Sequence, residues 1–162
     1  MTSAKGSDRG ELKRRMRSAS RLYAVQALFQ MERSGQTVEA VCREFLDHRF
    51  GTAYEEGGEA LSEGDVDFFQ SLVGDAVNWQ TRIDQMTDRA LVAKWPIARI
   101  DPTLRALFRA AGAELVASDT PPRVVITEFV EVTKAFFPEG REASFVNAVL
   151  DHMAREARPE AF

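Results

Sequence analysis

From Leu22 to Met153, apolar residues recur three and four positions apart in one segment after another. That spacing lays them along one face of an α-helix; a strand, whose side chains alternate between faces, cannot use it. Leu22, Val25, Leu28 and Phe29 make the first stripe, with Gly35 placed to stop it, and Val38, Val41, Cys42, Phe45 and Leu46 make the second. After the stretch FGTAYEEGGEALSEG the pattern resumes with Val66, Phe69, Leu72, Val73, Ala76 and Val77, and Ser62 and Asp65 have the spacing of a capping box ahead of it. Ile83, Met86, Leu91 and Val92 predict a further helix, ended at Trp95-Pro96 because a residue before proline is pushed out of the α region.

Two starts marked by proline follow. Asp101-Pro102 precedes Leu104, Leu107, Phe108, Ala111 and Leu115, and Thr120-Pro121 has the same form. The segment RVVITEFVEVTKAFF is rich in β-branched residues, which favour strands. Its period decides otherwise, since Val125, Phe129, Val132 and Phe136 are spaced four, three and four apart without a turn signal. Phe145, Val146, Val149, Leu150 and Met153 make a last amphipathic helix. No segment demands a strand, so the class is all-α with about seven helices. A chain of 162 residues, 44% hydrophobic and 28% charged, fits one domain with a buried core. Residues 17–158 are assigned to that domain, 1–16 to a basic, disordered extension, and 50–62 to an acidic glycine-rich insertion.

The net charge of −4 hides a division. Residues 1–21 hold seven Lys/Arg against two acids, whereas the rest of the chain carries 14 basic and 23 acidic side chains. Lys13, Arg14, Arg15, Arg17 and Arg21 suit a polyanion, because cations that neutralise phosphates release condensed counterions; a solvated tail would have the same composition. Arg14, Arg17 and Arg21 are spaced to share one helical face, which is expected to be exposed, so that charge reversal at Arg17 and Arg21 would weaken polyanion binding and spare stability. Tyr23 and Phe29 lie further along the same helix, where an aromatic either stacks on an unpaired base or packs into the core. Between Phe50 and Thr81, acids such as Glu55, Glu56, Glu59, Glu63, Asp65, Asp67 and Asp75 stand without a Lys or Arg among them. Such a stretch repels nucleic acid and is either a solvated face or a surface for a basic protein.

Catalytic chemistry finds no support. Cys42, His48 and His152 form neither a CxxC nor an i, i+4 histidine pair, and Cys42 on an apolar stripe reads as a small buried hydrophobe. Nothing pairs a nucleophile with a base, and there is no glycine-rich phosphate loop. No enzyme, cofactor, metal or small-molecule substrate is expected. Charges interrupt every apolar run, and MTSAKGSDRGELKRRMRSAS lacks the apolar core of a secretory signal, so the expected setting is cytoplasmic with no membrane contact.

Several elements in order resemble the NusB family of bacterial transcription antitermination factors. RSASRLYAVQALFQMERSG (17–35) is similar to the family's opening, an arginine-rich block running into a helix of the form AVQALY. RIDPTLRALFRAAGAELVASDTPPRVVITEFVEVTKAFF (99–137) and SFVNAVLDHMA (144–154) are similar to its later elements. The resemblance implies an all-helical fold of two subdomains and a non-catalytic role. That role is binding single-stranded boxA RNA of ribosomal RNA leaders with NusE, a small-subunit ribosomal protein, and joining the antitermination complex on RNA polymerase. It also implies an RNA-binding set of Arg17 and Arg21, extended upstream by Lys13, Arg14 and Arg15, with Phe29 in the aromatic position of AVQALY and Phe145 as the phenylalanine near the RNA. The chain departs from the pattern at Ser18, Ala19 and Ser20, at Ser144 and Ala148, and in PEGRE (138–142), which brings Arg141 near Phe145 in sequence. A helical protein–protein adaptor without RNA binding is the alternative reading.

Overall fold

The structure, a computed structural model, describes the backbone of residues 2–50, 64–94 and 100–162 and the side chains of 9–50, 64–93 and 100–162. Seven α-helices account for most of it: α1 (Thr2–Ser34), α2 (Val38–Phe45), α3 (Val66–Asn78), α4 (Gln80–Lys94), α5 (Pro102–Ala117), α6 (Pro122–Phe136) and α7 (Arg141–Ala157). A π-helical turn, Leu46–Phe50, extends α2, a 3-10 turn, Pro159–Ala161, follows α7, and no strand occurs among the described residues. None of these helices is long and apolar enough to cross a membrane.

The local signals explain most boundaries. Gly35 at φ +74° takes the left-handed conformation that stops α1, and its N–H donates to the Met31 carbonyl at 2.8 Å. Asp101 caps α5 by accepting from the Thr103 N–H at 2.7 Å, with Pro102 at the first helical position. Asp101→Ala should therefore cost about 1 kcal/mol in denaturant unfolding, whereas Pro102→Ala should cost little. Two starts differ from expectation. Asp65 itself caps α3, accepting from the Phe68 N–H at 3.0 Å, while Ser62 lies outside the described residues. Thr120 does not cap α6: the second proline, Pro122, takes the first helical position, and Pro121, which has no side-chain acceptor, becomes the cap. The β-branched segment is the helix α6, with Val125, Phe129 and Val132 buried and Phe136 half-buried.

The helices share one core. Helix α5 lies at its centre, against α1, α3, α4, α6 and α7; α1, α2 and α3 pack on one another, α7 packs on α4 and α6, and α1 also meets α6. Phe69, Phe108 and Phe129 are wholly buried, each contributing about 1.5–3 kcal/mol of apolar burial. Cys42 is buried as expected, and burial pushes its thiol pKa up. Val92 fits the helical stripe but is 80% exposed.

Two features depart from the expected terminal and insertion segments. Helix α1 begins at Thr2, so the basic block is the first turns of the helix rather than a disordered extension. No proline interrupts it, and the block continues the helix that the core anchors further along. Phe50, assigned to the insertion, is a core residue with its ring centroid 5.1 Å from those of both Tyr23 and Phe69. Gly64 permits this closure, because a Cβ there would fall 2.3 Å from Phe50 Cε1. The acids Glu55, Glu56, Glu59 and Glu63 lie outside the described residues, as does Trp95-Pro96.

Candidate nucleic-acid interface

The basic block divides according to what the rest of the fold does with each side chain. Lys13, Arg14 and Arg15 are exposed on α1. Arg17 is half-buried, its guanidinium carbon 4.6 Å from the centre of the Phe68 ring and its Nε buried without a hydrogen-bond partner. Phe68 of α3 thus holds the arginine flat and reduces the side-chain freedom lost when it meets a ligand.

Arg21 is the correction. It is 3% exposed, and it makes a two-pronged pair with the buried Glu114 of α5, Nε to Oε1 and Nη2 to Oε2, both at 2.8 Å. Its guanidinium also lies over Phe68 at 4.9 Å and 3.6 Å from Glu128 Oε2. Helical spacing does put Arg14, Arg17 and Arg21 along one line, but α3, α5 and α6 cover the line at Arg21, so it is no part of an exposed face. It is a strut between α1 and α5. Arg158 secures the same corner, donating to the carbonyls of Glu114 at 2.8 Å and Leu115 at 2.7 Å and to that of Thr120, beyond the end of α5.

A second line on α1 remains open. Arg15, Ser18, Ala19 and Leu22 line a groove of about 500 Å³ against Glu128, Glu131, Val132 and Ala135 of α6. The same helical face continues through Gln26 and Phe29 to Arg33, where a cavity of about 440 Å³ opens between α1, Phe45, Arg49 beyond α2, Thr103 of α5 and Phe136 of α6. From Arg15 to Arg33 this line spans about 27 Å at 1.5 Å per residue. The cavity has the parts of a base-binding pocket. Phe29, Phe45 and Phe136 supply apolar walls, Arg33 lies over Phe29 at 5.3 Å and Arg49 over Phe45 at 5.7 Å, and Gln26 Oε1 is buried without a hydrogen-bond partner. An orphaned acceptor beside aromatic rings suits an exocyclic amino group on a stacked base.

Phe29 is therefore half-buried and faces the cavity, which joins the two roles left open for it. Phe145 is elsewhere: half-buried on α7, edge-on to the buried Phe108 with ring centroids 6.2 Å apart, it lines neither groove nor cavity on this face of α1. Sequence reasoning missed Gln26, Phe68, Glu114 and Glu128. Only Gln26 carried a local signal, its place four residues after Leu22 and three before Phe29 on the first stripe.

Comparison with known proteins decides the family. The NusB family model matches residues 18–155. The transcription antitermination protein NusB of Maricaulis maris is 47% identical over the whole of both chains, and that of Caulobacter vibrioides is 48% identical over 88% of this chain and 94% of its own. The chain belongs to the NusB family. Among solved structures, NusB of T. maritima superposes with a TM-score of 0.68 at 29% identity, covering 90% of this chain and 95% of that one. The solution structure of NusB from Aquifex aeolicus, 23% identical with a TM-score of 0.65, has the same fold. NusB proteins are transcription antitermination factors and not enzymes, which agrees with the sequence's lack of catalytic constellations. The matched segment begins at Ser18, so Lys13, Arg14, Arg15 and Arg17 lie just ahead of it, while Arg21, Phe29 and Phe145 fall inside.

Proposed function

We propose that this NusB protein binds boxA-like single-stranded RNA of ribosomal RNA leaders together with NusE, and in the cytoplasm joins the antitermination complex on RNA polymerase. The observation that carries this reading is the continuous line along α1 from the exposed Arg15 to the aromatic cavity at Phe29, with Lys13 and Arg14 exposed beside its start. Cations at one end hold phosphates without regard to sequence, and the cavity at the other offers stacking and an unpaired acceptor to a base. Arg17, fixed on Phe68, belongs to the first group; Arg21 is withdrawn from the set because Glu114 occupies its guanidinium. Phe145 keeps its place through the family resemblance. Asp65, Asp67 and Asp75 leave an acidic surface on and beside α3 that suits a basic ribosomal protein.

Titrating a fluorescent boxA-like RNA into the protein, alone and with NusE, tests the reading. Affinity should fall steeply as salt rises and should increase when NusE is added. An affinity for RNA that is negligible in both arms, alongside intact NusE binding, would instead favour the protein–protein adaptor.

A further inference from the structure

Glu128 occupies a position that RNA binding alone does not explain. It projects from α6 to the basic helix and lines the grooves on both sides of α1: the one with Arg15 and Ser18, and a second of about 310 Å³ with Arg14, Arg17, Arg21 and Asp119. Its side chain is 25% exposed, so a ligand in either groove meets it. Its Oε2 lies 2.8 Å from Ser18 Oγ, whose single proton is shared with the Arg14 carbonyl at 3.0 Å. Among the described residues one guanidinium pairs with it, that of Arg21 at 3.6 Å, and both oxygens of Glu114 already match that charge. The Arg21, Glu114 and Glu128 cluster therefore carries one uncompensated negative charge. That charge faces both grooves, and the one with Arg15 and Ser18 lies on the line between the cations and the cavity.

We propose that Glu128 is an affinity-limiting residue, an anion that repels one phosphate of the bound strand midway along α1. The proposal rests on the RNA-binding reading above and adds a term to it. Phosphate contacts group at the Lys13–Arg17 end, and the strand passes Glu128 without gaining a contact there. Like charges set against a ligand in this way lower its affinity without altering which bases the cavity reads.

The test compares the parent, Glu128→Gln and Glu160→Gln by titration with a boxA-like RNA and with an unrelated single-stranded RNA of equal length, over a range of salt. Glutamine keeps the size of the side chain and an oxygen to accept from Ser18. Glu160→Gln, in the exposed turn after α7, makes the same change in net charge at a distance. Glu128→Gln should bind both RNAs about three- to tenfold more tightly at low salt, with a steeper salt slope, because the repulsion it removes is screened as salt rises. Glu160→Gln should match the parent. Glu128→Ala is the second variant, with the same direction expected, and thermal unfolding confirms that each variant is folded. Parental affinity and slope in folded Glu128→Gln and Glu128→Ala would overturn the proposal, as would an equal gain in Glu160→Gln. Failure of the underlying reading looks different, since the parent itself would then show no salt-dependent RNA binding.

Discussion

Glu114→Ala should destabilise the protein by about 3–5 kcal/mol, read as a shift of the denaturant midpoint without a change in its slope. The substitution removes the partner of a guanidinium that is 3% exposed and leaves that charge buried, with only Glu128 at 3.6 Å and the Phe68 ring to compensate. Against the 5–15 kcal/mol typical of a whole domain, such a loss threatens folding at growth temperature. Arg21→Ala should be comparably severe, because it strands the carboxylate of Glu114 between α1 and α5. The double variant Arg21→Met/Glu114→Leu should recover most of the loss, since taking both charges away together removes the cost of burying either. A loss below about 1 kcal/mol in Glu114→Ala would mean that Arg21 finds water, and would return it to the RNA-binding set.

Arg21 also shows where sequence reasoning stops. That Arg14, Arg17 and Arg21 align on a helix is a local fact, settled by the helical period. Whether the line is open depends on Glu114, 93 positions away, and no pattern within α1 refers to it. The same division runs through the fold. Asp101-Pro102 was legible because a cap is made by residues two apart, and α6 was legible because its period overrode its β-branched composition. Thr120-Pro121 misled because Pro122 is an equally good first residue and the choice between them depends on how the α5–α6 corner is tied, where Arg158 donates to the Thr120 carbonyl. Phe50 stands beside a glycine-rich acidic run in the sequence, whereas its partners Tyr23 and Phe69 come from two different helices. In the candidate interface, the exposed cations were legible as a composition shift. The elements that shape their action, Phe68 beneath Arg17 and Glu128 between two grooves, are contacts across the fold and had no sequence signal.

Reversing charge at Lys13, Arg14 and Arg15 together should have the opposite profile to breaking the Arg21 strut. All three side chains are exposed on a helix that the core anchors from Ala24 onward, so the unfolding midpoint should move by no more than about 0.5 kcal/mol. RNA affinity should fall by about 100-fold or more at physiological salt, and the salt slope should become shallower by about 2, since each lost phosphate contact removes about 0.7 from it. The loss should be similar for a boxA-like and an unrelated strand, because these cations hold the backbone and read no base. A substitution in the cavity, Gln26→Ala or Phe29→Ala, should do the reverse, narrowing the difference between the two RNAs while leaving the slope in place. Parental affinity in the triple variant would mean that the basic turns of α1 are solvated surface, and that phosphates are held at Arg33 and Arg49 on the rim of the cavity instead.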